Sequence, residues 1–370
     1  MLRGGFKSEA GNELVTGRMA SAGDHAHDGR MQEKPRPRRG RRPTMVDVAR
    51  EAGVALRTVS RVVNDDATVG AELVERVRAA IANLDYRPDE RARHLRLGVT
   101  GTLGAAVRQL SHVNPVLRAV ERAARKADLM VLAASTEDDE QIERHVVESM
   151  CRRRFDGILL EPIGADHGYL VPELAAGLSL VAVDRPVLGL DVDCVLSDNV
   201  AGIETAYSHL VAHGHRRIAY IGDDERIFTA QERATAFRAC VRASGGAADH
   251  MIHTGPILPD RIQAALESAL SGPGAATAII TGNATLSVEI VRRFRDRSDD
   301  VAVVGFDDSE LATLLRPDLT VVAQDDAAIG DTAITMLRNR IADPATPVRK
   351  VTVPVTLRPR GSGETPPKSA

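Results

Sequence analysis

Cysteine is scarce in this chain: its 370 residues contain three, Cys151, Cys194 and Cys240, and no CxxC pair. Such spacing supports neither a disulfide framework nor a zinc ribbon, and a reducing cytoplasm is the expected compartment. Long apolar runs are missing as well. No stretch approaches the ~18 residues a bilayer-spanning helix needs, and the first 30 residues hold no apolar segment behind a basic start, so no membrane partner is expected. Tryptophan is absent, and aromatics make up 3% of the chain. There is no Gly-x-Ser-x-Gly nucleophile elbow and no Walker loop. The sequence therefore points away from an enzyme and implies no cofactor.

What is present is an ordinary globular composition, 43% apolar and 27% charged, with length for two or three domains. The net charge of −3 conceals an asymmetry. Arg30 to Arg96 holds 16 Lys and Arg against 10 acids, whereas the residues after Arg96 carry −8. A basic front on an acidic body is expected where one end meets a polyanion. Six of the nine residues from Lys34 to Arg42 are cationic, which reads either as a solvated tail or as a non-specific phosphate-binding arm. Residues 1–42 lack periodicity and are expected to form a disordered basic tail, within which Met19 and Met31 offer alternative starts.

Residues 43–88 carry three short helical patterns. Thr44 and Asp47 have the form of a capping box, starting a helix at Met45 that should stop at Gly53. After the Gly53-Val54-Ala55 turn, a helix from about Leu56 to Val63 places Val59 and Val63 inward and Leu56, Arg57, Ser60 and Arg61 outward. Ala49, Gly53 and Val59 then suit a helix-turn-helix, because alanine lets the helices approach, glycine makes the turn and valine fills the angle. Val74, Val77, Ile81 and Leu84 form the apolar stripe of a third helix. On the outward face, Arg57 and Arg61 can present paired donors to guanine while Leu56 offers apolar contact.

From about Gly101 onward, short apolar runs alternate with helical periodicity. Leu103–Val107, Leu129–Ala133, Gly157–Leu160, Leu180–Val183, Ile218–Ile221, Ala278–Thr281 and Val301–Gly305 read as buried parallel strands. Ile142, Val146, Val147 and Met150, and then Ile329, Ala333, Leu337 and Ile341, mark intervening helices. The count exceeds one compact open sheet, so the expected fold is an α/β core of two doubly wound parallel-sheet lobes with a cleft between them, preceded by the all-α headpiece. Ligands in such folds meet the carboxyl ends of strands.

Two other motifs have bland readings. Gly98, Gly101 and Gly104 resemble a dinucleotide loop, but they end a helix and open a strand, the reverse of what phosphate binding requires. His209, His213 and His215 have metal-like spacing, yet His near a helix carboxyl terminus that ends at Gly214 is favourable without any metal.

The run Thr44-Met-Val-Asp-Val-Ala-Arg-Glu-Ala-Gly-Val-Ala-Leu-Arg-Thr-Val-Ser-Arg-Val-Val-Asn64, followed by Tyr86-Arg-Pro-Asp-Glu-Arg-Ala-Arg-His-Leu95, resembles the headpiece and hinge of the LacI/GalR family of bacterial transcription repressors. The similarity continues through Val183-Asp184-Arg185-Pro186, Ser197-Asp198-Asn199, His213 to Gly222, Gln231-Glu232-Arg233, Val304 to Asp308 and Gln324-Asp325, covering roughly residues 43–360. Gly70 departs from the Ser or Thr usual at the third helix cap, at a cost of a few tenths of a kcal/mol.

The resemblance implies a homodimer on a pseudopalindromic operator of double-stranded DNA, with a small-molecule effector, a sugar or related polar metabolite, bound between the lobes. It assigns DNA contacts to Thr44, Leu56, Arg57, Thr58, Ser60, Arg61 and Asn64, and to Ala92 and Leu95 in a hinge helix within residues 89–101. The core spans 102–360, its lobes about 102–197 plus 326–350 and 198–325 plus 351–360, with 361–370 a disordered tail. Asp184, Arg233, Asn283 and Asp307 match positions that hold ligand hydroxyls. Arg108 follows the first core strand beside the helix cap Asn114-Pro115, and Val116 replaces the family's aromatic. Arg108 therefore either meets an anionic group on the effector or pairs with Glu161 and carries no ligand. Other readings are an α/β enzyme carrying a DNA-binding domain, and a cytosolic sugar-binding protein that never touches DNA.

Overall fold

A computed structural model describes residues 42–87, 99–110, 114–245, 251–294, 301–314 and 316–367. All but the last residue of the tail expected over residues 1–42, and the hinge positions Ala92 and Leu95, lie outside these. The chain forms two compact units that divide after residue 88.

In the first unit, α1 (Met45–Ala52) and α2 (Leu56–Val63) begin and end where the sequence places them, and α3 (Ala71–Asn83) carries the expected apolar stripe, with Leu84 as its carboxyl cap. The capping box is complete: Asp47 N donates to Thr44 Oγ1 at 3.4 Å and Thr44 N donates to Asp47 Oδ2 at 2.9 Å. Gly53 takes the left-handed conformation, φ 63°, that an L side chain adopts only with strain, and so turns the chain into α2. Val48, Val59 and Val77 meet with no exposure at all, and Tyr86 seals their edge. One inward assignment shifts: α2 buries Val62 beside Val59, while Val63 is only partly buried. Residues three and four after Val59 flank the same face, and the three-residue step points at α1 and α3 here.

The second unit holds two six-stranded sheets. β1 (Thr102–Val107), α4 (Pro115–Lys126), β2 (Met130–Ser135), α5 (Glu140–Arg152), β3 (Gly157–Leu160), α6 (Leu170–Ala175), β4 (Leu180–Val183) and β5 (Asp193–Ser197) build the first. The chain then crosses to α7 (Asn199–Ala212), β6 (Ile218–Gly222), α8 (Phe228–Ala243), β7 (Ile252–Thr254), α9 (Pro259–Leu270), β8 (Ala278–Thr281), α10 (Ala284–Phe294), β9 (Ala302–Phe306) and β10 (Thr320–Ala323). It returns as α11 (Asp326–Ala342) and β11 (Lys350–Val353), then crosses a third time to β12 (Thr356–Arg358). The orders β11-β5-β4-β3-β1-β2 and β12-β10-β9-β8-β6-β7 place equivalent strands at equivalent positions. All pairings are parallel except β10 with β12.

Alternate residues of the first sheet face opposite ways. Leu103, Leu159 and Val181 pack under α4 and α11, and Ile158, Leu160 and Leu180 pack under α5 and α6. This is why the strands read as continuous apolar runs: both faces are covered.

Two boundaries differ from expectation. β11 pairs with β5 as far as Val353, so the last crossing falls at residues 354–355 and not after 350. Residues 361–367, expected to be a loose tail, pack on the second lobe: Ser362 Oγ donates to Val303 O at 2.6 Å, and His215 Nε2 lies 2.8 Å from Thr365 O. Backbone groups of Val303 in β9 and the His215 ring in the α7–β6 turn hold this polar segment.

Candidate functional site

Leu56, Arg57, Arg61 and Asn64 are exposed along α2, while Thr58 and Ser60 are half-buried at its sides. Their surroundings separate them. Arg57 makes no hydrogen bond or ion pair among the described residues. Arg61 is engaged, its Nε donating to Asp66 Oδ2 at 2.9 Å and its Nη2 to Thr68. Those bonds hold the Asp66 carboxyl well below its ordinary range. Asn64 Nδ2 donates to Ser60 O at 2.6 Å, and the Thr44 hydroxyl belongs to the α1 cap. Sequence spacing therefore places all of these on the helix-turn-helix surface, with Arg57 the cation left open.

In the core, Arg108, Asp184, Asn283 and Asp307 follow the carboxyl ends of strands, whereas Arg233 lies within α8. Asp184 follows β4 and Asp307 follows β9, equivalent strands, and both take positive φ, 69° and 67°. Aspartate tolerates this conformation better than most residues.

Arg233, Asp307 and their neighbours form one network. Arg233, which is 4% exposed, donates from Nε to Asn199 Oδ1 at 2.8 Å and from Nη1 to Gly282 O at 2.6 Å. Its Nη1 lies 3.5 Å from Asp307 Oδ2, and its guanidinium stacks 3.7 Å above the Phe306 ring. Gln324 Nε2 donates to Asp307 Oδ1 at 2.6 Å, while Ser197 Oγ donates to Gln324 Oε1 across the lobes. Asn283 stands apart from this network, 3.4 Å from Asp223 Oδ2.

Arg108 is paired, as the second of its two expected roles has it, but more closely with Asp138 than with Glu161. Its guanidinium binds both oxygens of Asp138, with Nη2 to Oδ2 at 3.2 Å, and only its backbone N–H donates to Glu161, at 3.1 Å. Glu161 Oε1 stays 3.9 Å from Arg108 Nε. Asp138, Glu161 and Asp184 outnumber Arg108 and Arg185 on this wall. Burial, reinforced by Asp184, pushes Glu161 up to about 7. An anion would meet carboxylates here, and the free cation needed to bind it is already paired.

A cavity of about 700 Å³ opens nearby, lined from the first lobe by Pro115, Arg118 and Arg122 of α4 and by Asp326 of α11, and from the second by Thr356 and Arg358. None of the five residues inferred from sequence lines it; Gln324, which does, links it to Asp307. Burial and the neighbouring Asp307 and Asp325 push Asp326 up to about 6. Sequence reading missed Arg118, Gln324 and Asp326 as wall residues. Their signal was position, since each lies within four residues of a helix cap, Asn114 or Asp325, at the interlobe end.

Comparison with known proteins agrees with both halves. Residues 44–89 match the model of bacterial regulatory proteins, lacI family, and residues 207–363 match that of a periplasmic binding protein-like domain. The chain is 31% identical over 329 residues to the ribose operon repressor of Escherichia coli (strain K12), covering 86% of this chain and 99% of that one. It is 32% identical over 340 residues to the HTH-type transcriptional regulator PtxS of Pseudomonas aeruginosa, covering 88% of this chain and 97% of the relative. The Lac repressor dimer bound to operator and an anti-inducer shares the fold, with a TM-score of 0.76 at 23% identity over 87% of this chain and 99% of that one. A transcriptional regulator CelR–cellobiose complex gives 0.63 at 27%, over 87% and 100%. On its headpiece, its two lobes and these relatives over nearly their whole length, the chain belongs to the lacI family of bacterial regulatory proteins.

Proposed function

We propose that this DNA-binding regulator is a homodimeric cytoplasmic repressor whose hold on a pseudopalindromic operator is set by a polar small molecule bound between its lobes. Arg57 carries the reading: an arginine without protein partners stands on the recognition helix of a closed three-helix unit, where it can donate in bidentate fashion to guanine. The relatives supply the remainder, one being a ribose operon repressor and another a complex with cellobiose. In the cleft, Asp184, Asp307 and Gln324 offer acceptors and donors suited to hydroxyls. Effector control follows from linkage, because a ligand that binds one lobe arrangement better shifts the protein towards it. A gel-shift against the DNA upstream of the protein's own gene tests the proposal. Retarded mobility that resists excess non-specific DNA is expected, and binding with no sequence preference would overturn it.

A further inference from the structure

Arg118 and Arg122, one turn apart on α4, both line the 700 Å³ interlobe cavity, and neither makes a hydrogen bond or ion pair among the described residues. The other arginines there are occupied: Arg125 pairs with Glu121 at 3.0 Å and Arg358 with Asp308 at 2.6 Å. The amino termini of α4 and α11 meet at the same cavity, since Pro115, Asp326 and Ala327 line it too. Helix amino termini favour negative charge. Opposing them are Asp325, whose side chain caps Ala328 N at 2.9 Å, and Asp326. Two unpaired arginines and two helix amino termini, each worth about half a positive charge, stand against two aspartates and leave about one net positive charge, which suits a single negative charge and not a dianion. Gln324 supplies a neutral acceptor at the cavity's inner edge, held there by Asp307, which accepts from its Nε2 and lies outside the lining.

Resting on the interlobe effector site proposed above, we infer that the effector is a hydroxylated carboxylic acid. Its carboxylate is held by Arg118 and Arg122, and its hydroxyls by Asp326 and Gln324. The cavity lies within the ~300–1,000 Å³ usual for small-molecule sites. Arginine matches a carboxylate in paired geometry, and ionised aspartates accept hydrogen bonds only, so they call for hydroxyl donors. The anion-binding role weighed for Arg108 thus passes to α4, because Asp138 already satisfies Arg108.

The test is calorimetric titration of the full chain with sodium D-gluconate, sodium D-glucuronate, D-glucose and D-glucose 6-phosphate. At least one of the two acids is expected to bind about tenfold or more tighter than both glucose and the phosphate. Arg118→Ala is expected to lose that tenfold, and Arg118→Lys to keep part of it. Both variants change an exposed side chain, so folding is spared. Glucose or the phosphate binding as well as the acids, neither acid binding, or Arg118→Ala binding the acid like the parent would each overturn the inference. The gel-shift without ligand, run on the same preparation, separates failure here from failure of the regulator reading.

Discussion

Arg57 and Arg61 lie one turn apart on α2, yet they offer a base different things. Arg57 is free, whereas Arg61 must give up Asp66 and Thr68 before it can donate elsewhere. Arg57→Ala is therefore expected to cost about 1–3 kcal/mol at one base-pair position of each half-site, read from gel-shifts on a panel of single-base operator variants. Asp66→Ala should release Arg61 and raise affinity for non-specific DNA, with a steeper salt dependence. Unchanged salt slopes would show that Arg61 already leaves Asp66 unaided. Glu161 carries a second expectation, one of pH. Its carboxyl is raised above the ordinary value, so its contribution to stability is complete below about 4.5 and is lost as pH climbs to about 7. Urea unfolding at pH 5 and pH 8 should accordingly find Glu161→Gln gaining on the parent at the higher pH. A constant gap between the two would mean that Glu161 ionises freely in the fold.

Helices and strands show how far the sequence carries. Caps and periodicity placed α1, α2, α3 and the start of α4 because those signals are local: a hydroxyl, a proline, a glycine. All seven strands expected from apolar runs are present, yet β5, β7, β10, β11 and β12 were not among them. β7 and β12 are three residues long, and β5 begins with a buried aspartate, Asp193, whose charge is met by Arg340 at 2.9 Å and by the backbone of Arg349 at 2.8 Å. Such partners come from residues about 150 positions away, which no local pattern reveals. Candidate site residues divide in the same way. Asp184, Arg233 and Asp307 were legible through motif similarity, while Arg118 and Asp326 became visible only when two helix ends met. Close approach of those helices is itself testable at Gly330, where a Cβ would stand 2.6 Å from the Ala119 carbonyl carbon and 2.7 Å from Val120 N. Alanine normally stabilises a helix interior by about 1 kcal/mol over glycine. Here the obstacle is backbone, so Gly330→Ala is expected to destabilise the core by about 1–3 kcal/mol, measured as a lower urea midpoint.

At the scale of the whole molecule, the question is how two copies would meet, since one recognition helix reads only one half-site. β2 is an edge strand of the first sheet, and it exposes Met130 at 63% and Leu132 at 47%. Solvent-facing apolar residues on an unpaired edge invite association unless something covers them. Residues 361–367 are spent on the second lobe, with Glu364 Oε2 accepting from Thr320 Oγ1 at 2.9 Å and Oε1 bonded to His209. Sedimentation at micromolar concentration should therefore give a dimer. Leu132→Glu places a charge on the exposed edge without disturbing the buried face, so the variant should sediment as a folded monomer and bind operator far more weakly. Its circular dichroism should match the parent's. A dimer that persists in Leu132→Glu, or a stable tetramer in the parent, would place the interface somewhere other than β2.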